Sequence, residues 1–288
     1  LRFNSDSGFY FKKKKLDFDV FLNSCHGGPG EDGSLQSLLN ILRVKYTGPN
    51  VISAQICMDK YVFYTTMKEN GLPVLHKDLV KIGVDVSFKG PYILKPRFGG
   101  SSIGVEVVSD YESVLKIVES SDLYTEGAVV EKYLENSEDI LIGVKNYPSL
   151  SLSEIEKPIK NETLFSYSEK YLENGGLEGS QRELPANLSN EITKKIISYV
   201  EKINSIIPTR GIFRYDFLVD GNDIYINEIN TIPGSHALYL WQNIDKSKYE
   251  LLNDIIDEAL SDDLTTWTTT GSDGLALKSA KDIQSKLG

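Results

Sequence analysis

The stretch "RGIFRYDFLVDGNDIYINEINTIPG", residues 210–234, reads as a β-hairpin whose functional polar side chains all fall at even positions. Arg214 and Asp216 lie on the first arm, Glu228 and Asn230 on the second. Strand side chains alternate faces with period two, so each pair occupies one side of its own strand. The odd positions hold Phe213, Tyr215, Phe217, Val219, Tyr225 and Ile229, a face suited to burial, with Asn227 as the polar exception. "DGND" between the arms is turn chemistry, and Gly221 can adopt a positive φ.

Register decides whether the two polar pairs meet. Directly opposed residues of an antiparallel pair share a face. A two-residue loop at Gly221-Asn222 sets Asp216 against Asn227 and turns Glu228 away. A three-residue loop from Gly221 to Asp223 sets Asp216 against Glu228 and Arg214 against Asn230. The apolar alternation predicts the second register, which keeps the aromatic face continuous. Two carboxylates and an amide oxygen then converge beside a guanidinium, and oxygen ligands of this kind suit magnesium. The alternative on pattern alone is a salt-bridged, solvent-facing hairpin.

The chain has 288 residues, 40% of them hydrophobic and 25% charged, an ordinary globular composition with room for two or three modest domains or one large one. No run approaches the roughly 18 apolar residues of a membrane span. "LRFNSDSGFYFKKKKLDF" at the start lacks the apolar core of a signal peptide, and its "KKKK" reads as a solvated strand end or turn. The net charge of −10 argues against a nucleic-acid partner, since no broad basic surface is available to displace counterions. Two cysteines, Cys25 and Cys57, without metal-ligand spacing or a disulfide framework fit a reducing cytoplasm.

Outward from the hairpin, "FDVFLNS" (18–24) is predicted as a strand, and "HGGPGEDGSLQSLLNILRV" as a glycine loop entering a helix. Ser34 or Asp32 is the expected cap of that helix, with Leu35, Leu38, Leu39 and Leu42 on its inner face. "VISAQICMDKYVFYTTMKENG" reads as one helical pattern ending at Gly71. "PYILKP" is a strand, "FGGSSIG" a glycine-rich loop, "IGVEVV" the returning strand and "YESVLKIVESS" a helix. "AVVEKYL" and "DILIGVK" are strands. Residues 148–190, poor in periodicity, read as a long functional loop. "EITKKIISYVEKINSI" and "KYELLNDIIDEAL" are helices. The polar tail from 261 to 288 receives no function.

"KPRFGGSSIG" places Lys95 at a strand end before a loop that can bend over an anion. Its glycines let backbone N–H groups approach phosphate oxygens, while Ser101 and Ser102 offer hydroxyls. The pattern is not a Walker A sequence, and a plain turn between strands is the competing interpretation. "FSYSEKY" sets Lys170 and Tyr171 in the long loop. His26, in "HGGPGEDG", precedes a predicted helix N-terminus, a natural anion site, or is a simple turn histidine. His76 reads as surface.

Taken in order, "HGGPGEDGSLQ", "MDK", "KPRFGGSSIGV", "YSEKY" and "RYDF…NEINTIPG" resemble the signature segments of the D-alanine–D-alanine ligase family of the ATP-grasp superfamily, from about His26 to about Trp241. The resemblance implies an α/β (α+β) ATP-grasp fold with a partial N-terminal Rossmann-like domain over 1–48, a central lobe over 49–133 and a C-terminal lobe over 134–288. It implies ATP between the lobes and two Mg2+ (or Mn2+) ions. By that resemblance Lys60 and Lys95 match phosphate-contacting lysines, with Ser102 in the phosphate loop. Glu131 and Leu134 match the adenine hinge, Glu138 the ribose-holding residue, and Lys170 the lysine over the γ-phosphate. Asp216, Glu228 and Asn230 match the metal ligands; Arg214 and the Gly234 backbone match groups facing the reacting carbonyl. Ser101, Tyr171 and His26 match residues near the first amino acid.

The implied reaction is attack of a carboxylate on the γ-phosphate to give an acyl phosphate, then displacement of phosphate by an amine. The implied partners are small amino acids, and the implied role is peptidoglycan precursor synthesis in the cytoplasm. The family is often dimeric, although nothing in the sequence marks an interface. Two departures stand out. The family's opening strand with its ammonium-binding acidic residue is not recognisable, and "PGSHALYLW" puts Ala237 or Ser235 where a Ser-Leu pair binds the second substrate's carboxylate. An enzyme joining a different amino acid or acyl acceptor, and a nucleotide-binding module without catalysis, are the alternatives.

Overall fold

Among the described residues three antiparallel sheets form, the two larger ones built around apolar strands bounded by turn residues, and helices fill the intervals. The computed structural model describes residues 2–4, 8–159, 181–242 and 246–263. Strands β1 (Arg2–Asn4), β2 (Gly8–Phe11) and β3 (Lys14–Lys15) make a small sheet in that order, followed by helix α1 (Ser34–Ile41). Helices α2 (Val51–Met58) and α3 (Lys60–Glu69) come next. Strands β4 (Lys77–Leu79), β5 (Tyr92–Pro96), β6 (Glu106–Val108) and β7 (Ala128–Lys132) form a sheet of order β4-β7-β5-β6, with α4 (Tyr111–Ser120) between β6 and β7. Strands β8 (Glu138–Lys145), β9 (Ser151–Pro158), β10 (Arg182–Glu183), β11 (Ile212–Asp220) and β12 (Asp223–Asn230) form the largest sheet, of order β10-β9-β8-β11-β12. Helix α5 (Asn190–Ile206) precedes β11, and α6 (Lys248–Ser261) follows the hairpin. Strands and helices segregate as expected of an α+β fold.

The main core lies on one face of the five-stranded sheet. Ile140, Ile142 and Val144 of β8 and Phe213, Tyr215, Phe217 and Val219 of β11 meet α5 through Ile196, Val200 and Ile203. That helical spacing of four and three residues puts all three apolar side chains on one stripe. The stripe starts where Ser189 caps α5, accepting the Ile192 N–H at 3.2 Å. Cys57, Phe63 and Met67 of α2 and α3 join the same core, although they precede the four-stranded sheet in sequence. A second cluster, with Leu94, Val114 and Val130, lies under α4. The opposite face of the large sheet carries the polar residues of the hairpin.

The hairpin corrects one expectation in an informative way. Asp220 pairs with Asp223, so the turn is the two-residue loop Gly221-Asn222, not the expected three-residue loop. A bulge between Asp216 and Phe217 then shifts the pairing, and Asp216 faces Glu228 while Arg214 faces Asn230. The expected site register is present, reached through a bulge at Asn227 rather than through a longer loop. As a result Ile224 and Ile226 are buried near the turn, and Tyr225, expected inside, is only half-buried.

Five other expectations change. The predicted helix over 51–71 is broken at Asp59, whose backbone is extended (φ −83°, ψ 102°) and whose carboxylate caps α3. Residues 18–24 form no strand, only a parallel bridge from Phe21 to Tyr46. Neither Ser34 nor Asp32 is the α1 cap: Gly33 holds that place at φ 92°, a left-handed conformation that favours glycine, while Asp32 accepts the Ser34 N–H at 2.8 Å. Only Leu39 of the expected α1 leucines is fully buried, and Leu38 is exposed. Residues 148–190, read as a loop, contain β9 and β10. Their alternation is masked by the polar residues Ser151, Ser153, Glu154 and Glu156, of which Ser153 and Glu156 are buried and Glu156 accepts the Tyr239 hydroxyl at 2.8 Å.

Candidate active site

A cavity of about 430 Å3 brings the N-terminal glycine loop, the start of α3, the loop after β5 and the end of β12 together. Its walls include His26, Glu31, Lys60, Ser101, Glu228 and Asn230. These residues span more than 200 positions in sequence, and each is delivered by an element end or a tight loop.

On the hairpin, Arg214 holds Asp216 in a bidentate fork, Nε to Oδ1 and Nη2 to Oδ2, both at 2.7 Å. Asn230 Nδ2 also donates to Asp216 Oδ2, at 3.1 Å. Burial alone would lower the Arg214 pKa, but the Asp216 carboxylate outweighs it and holds the guanidinium firmly charged. The fork uses Nε and Nη2 and leaves the Nη1 hydrogens outside it. Asp216, Glu228 and Asn230 together offer oxygen donors only, a set that fits a hard divalent cation and not a soft one. Among the described residues no group of three or more His, Cys, Asp or Glu side chains is placed to hold a metal ion.

Behind the hairpin, Glu131 is buried between Lys77 and Lys95, in contact with both ammonium groups. Burial would raise its pKa, but the two lysines win and hold it at about 2. Lys95 Nζ reaches Asn227 Oδ1 at 3.2 Å, so the bulged residue of β12 connects the two larger sheets. Lys60, the first residue of α3, donates to the Gly99 carbonyl at 2.5 Å, and its burial lowers its pKa. The loop it touches carries Ser101 and Ser102 at φ 57° and 59°, both left-handed, between Gly99 and Gly104. Such a path turns successive N–H groups toward a common space, as anion-binding loops require.

His26 is fixed from two sides, its Nδ1 lying 2.8 Å from the Ile232 carbonyl and 3.1 Å from Glu31 Oε2. The Glu31 hydrogen bond raises the His26 pKa against the opposing effect of burial. Glu31 also accepts the N–H groups of Gly27 at 2.5 Å and Ile232 at 2.6 Å, tying the N-terminal loop to the segment after β12. Ser101 Oγ lies 3.4 Å from His26 Nε2. Gly234 begins a turn in which Ser235, His236 and Ala237 are all left-handed, at φ 50°, 51° and 49°. Glu138 sits exposed at the start of β8, paired with Lys157 at 3.4 Å, and Leu134 accepts the Ser137 hydroxyl in the turn before it. Lys170 and Tyr171 lie outside the described residues.

Sequence reasoning missed Glu31, Lys77, Asp59, Arg97 and Asn227. "GEDG" marks Glu31 only as a turn residue, and no periodicity distinguishes a buried carboxylate there from a solvated one. Asn227 stood out as a polar break in an apolar alternation, which was the available signal.

Comparisons extend these observations along the chain. The family model described as D-ala D-ala ligase C-terminus matches residues 55–260, and that described as D-ala D-ala ligase N-terminus matches residues 2–49. The match therefore begins well before His26, where the sequence motifs alone ended. A D-alanine--D-alanine ligase of Thermosipho africanus is 34% identical over 240 residues, covering 80% of this chain and 65% of that protein. One from Campylobacter lari is 34% identical over 244 residues, covering 82% of this chain and 69% of its own length. The crystal structure of the D-alanine–D-alanine ligase from Helicobacter pylori superposes with a TM-score of 0.68 at 27% identity, covering 88% of this chain and 73% of that one. The chain thus spans about two thirds of the length of these curated relatives. With both family regions matched in order across the residues that build the cavity, the chain belongs to the D-alanine–D-alanine ligase family of the ATP-grasp superfamily.

Proposed function

We propose that this chain carries out the ATP-dependent joining of two D-alanine molecules through an acyl phosphate, supplying D-alanyl-D-alanine for peptidoglycan synthesis in the cytoplasm. The observation that carries this reading is the meeting in one cavity of Lys60 and the glycine loop with the oxygen donors Glu228 and Asn230. Cationic and N–H groups on one wall suit phosphates, and carboxylate and amide oxygens on the other suit the cation that accompanies them. ATP and two Mg2+ or Mn2+ ions are the implied set, with Asp216, Glu228 and Asn230 as metal ligands. A bound divalent ion there would offset the charge of the transferring phosphoryl group.

The chain's own groups account for the rest. Lys60, Lys95 and the N–H groups around Ser101 and Ser102 hold the phosphates, with Lys170 over the γ-phosphate by analogy with the family. Glu131, Leu134 and Glu138 border the nucleoside. His26, Ser101 and Tyr171 receive the first amino acid. Its carboxylate oxygen bonds to the γ-phosphorus as the bond to ADP breaks. The amine of the second amino acid then attacks the acyl carbon, losing a proton as phosphate departs. Arg214 and the Gly234 N–H stabilise the oxyanion of that tetrahedral step, as preorganised donors do in other acyl transfers. A site closed to water is required because an acyl phosphate hydrolyses.

A second reading rests on the turn after the hairpin, where Ala237 or Ser235 stands near the place of the family's carboxylate-binding serine. Ser235 there would keep a hydroxyl for the second substrate, whereas Ala237, fully buried and without one, would favour a different amine acceptor. The deciding experiment measures phosphate release from ATP and magnesium with D-alanine beside a panel of D- and L-amino acids, recording product masses. A D-alanyl-D-alanine mass supports the first reading. Release only with another amine moves the assignment to the second, and nucleotide binding without ADP formation on any substrate withdraws both. Among the described residues no helix is long and apolar enough to cross a membrane. The homodimer common in the family is part of the proposal and is tested by light scattering.

A further inference from the structure

The "MDK" stretch supplies Lys60 to the cavity, yet the residue before it is the better connected. Asp59 interrupts what would otherwise be one helix, and its Oδ1 caps α3 by accepting the N–H groups of Tyr61 at 3.0 Å and Val62 at 3.1 Å. The same carboxylate takes Arg97 in a fork, Nε at 3.0 Å from both oxygens and Nη2 at 2.6 Å from Oδ2. Asp59 is buried and Arg97 is partly so.

Three more contacts join the same two segments. Lys60 N–H donates to the Arg97 carbonyl at 3.0 Å, and Lys60 Nζ to the Gly99 carbonyl at 2.5 Å. The Gly99 N–H points at Met58 Sδ, 3.4 Å away. Arg97 is anchored in turn, its N–H donating to the Gly127 carbonyl at 2.9 Å and its guanidinium lying 5.1 Å from the Phe98 ring centre.

The loop so held needs an external fixture. Four of its residues, Gly99, Ser101, Ser102 and Gly104, have positive φ, and the backbone bonds from Ile103 N–H to Gly100 and from Val105 N–H to Ser102 are short-range. Such a path takes its position from what holds it, and Ser101 Oγ, 3.4 Å from His26 Nε2, gives one link toward the segment after β12. Helices α2 and α3 do have a fixed position, because Cys57, Phe63 and Met67 are buried in the core of the five-stranded sheet. Tying Arg97 to Asp59 therefore references the loop to the sheet that bears Asp216, Glu228 and Asn230. A partly exposed ion pair contributes little to stability, whereas a bidentate guanidinium–carboxylate fork fixes orientation.

We propose that Asp59 and Arg97 form a positioning clamp that sets the glycine loop against the metal-binding hairpin and thereby sets nucleotide affinity, without touching the nucleotide. This inference rests on the cavity being the phosphate site. Neither residue is a catalytic group; each acts through Lys60 and the Gly99–Gly104 path.

The test is calorimetric titration of Mg·ADP, which needs no turnover, into the full chain and its Asp59→Asn, Arg97→Gln and Arg97→Lys variants. KM values for ATP and for the amino acid are measured alongside, with thermal midpoints. Asn retains the cap acceptor and removes only the charge, so α3 stays capped. Asp59→Asn and Arg97→Gln are expected to weaken Mg·ADP binding and raise the ATP KM about 3- to 30-fold. The amino-acid KM and the thermal midpoint stay near those of the parent chain. Arg97→Lys, which keeps the charge and loses the fork, falls between. The double variant is no weaker than the worse single one, because both remove the same contact. A fall in thermal midpoint with unchanged Mg·ADP affinity, or equal losses for both substrates, overturns the clamp. Lys60→Ala separates the two levels. If it weakens Mg·ADP binding while the pair variants do not, the clamp alone fails; if it changes nothing, the phosphate-site reading falls and the clamp with it.

Discussion

Asp216 is where packing and proposed chemistry meet, since it neutralises Arg214 and faces Glu228 across the hairpin. Asp216→Asn and Glu228→Gln are each expected to abolish phosphate release with D-alanine while far-ultraviolet circular dichroism stays unchanged. Glu228→Gln is the cleaner of the two, because Asp216→Asn also takes the charged partner from a well-buried guanidinium. A variant that turns over normally removes its residue from the site. His26 offers a pH readout. Its pKa is raised above the ordinary 6.5 by the Glu31 hydrogen bond, so the protonated ring favours the folded state. That contribution is fully present below 6.5 and is lost as pH rises through the higher folded value. Glu31→Gln is expected to drop the His26 pKa back toward 6.5, read by NMR titration of the imidazole. An unmoved titration would mean that the Ile232 carbonyl, not Glu31, sets it.

At the scale of elements, the bulge and the helix break do the same kind of work: each spends one residue of regular structure to aim a polar side chain. Without Asn227 the hairpin would run regularly from its two-residue turn, and Asp216 would still face Glu228. The extra residue serves Lys95, which donates to its side chain at 3.2 Å. Deleting Asn227 is therefore expected to leave a folded hairpin, destabilised by about 0.5–1.5 kcal/mol for the lost hydrogen bond. The ATP KM should rise because Lys95 loses a support. Urea unfolding and steady-state kinetics check the two halves, and a chain that fails to fold would show that the bulge is needed for pairing itself. The alternation in "IFRYDF" was legible because strand faces follow a two-residue period; the bulge was not, since one inserted residue changes phase without changing composition. The break at Asp59 was hidden similarly, because "ICMDKYVF" continues a helical apolar pattern across it.

For the whole molecule, α6 closes onto the start of the hairpin through Glu258, whose Oε2 accepts the Gly211 N–H at 2.6 Å. Burial pushes the Glu258 carboxyl up to about 7, against that hydrogen bond and the nearby Arg210 and with the help of Asp262. Between 4.5 and about 7 the folded protein keeps a proton that the unfolded chain has released. Stability conferred by this group is thus full below that window and is lost as pH rises through it. Glu258→Gln keeps an acceptor for Gly211 and removes the titration. Its urea midpoint is expected to lose this pH slope and to exceed that of the parent chain at pH 8, by about 1–3 kcal/mol in stability. An identical slope in both proteins would place the titration elsewhere.

By itself the sequence determined the antiparallel hairpin, the face that the aromatic residues of its first arm occupy, the residues that share its polar face and the order of motifs that places the chain in its family. Those are consequences of periodicity and local chemistry, which act over a few residues. Only the tertiary structure decided that Glu31 reaches Ile232, that Lys77 and Lys95 enclose Glu131, and that Asp59 grips Arg97. Each of those contacts joins segments 36 or more positions apart. Whether a carboxylate is buried and paired or solvated depends on which surfaces the core brings together, and no local pattern carries that information.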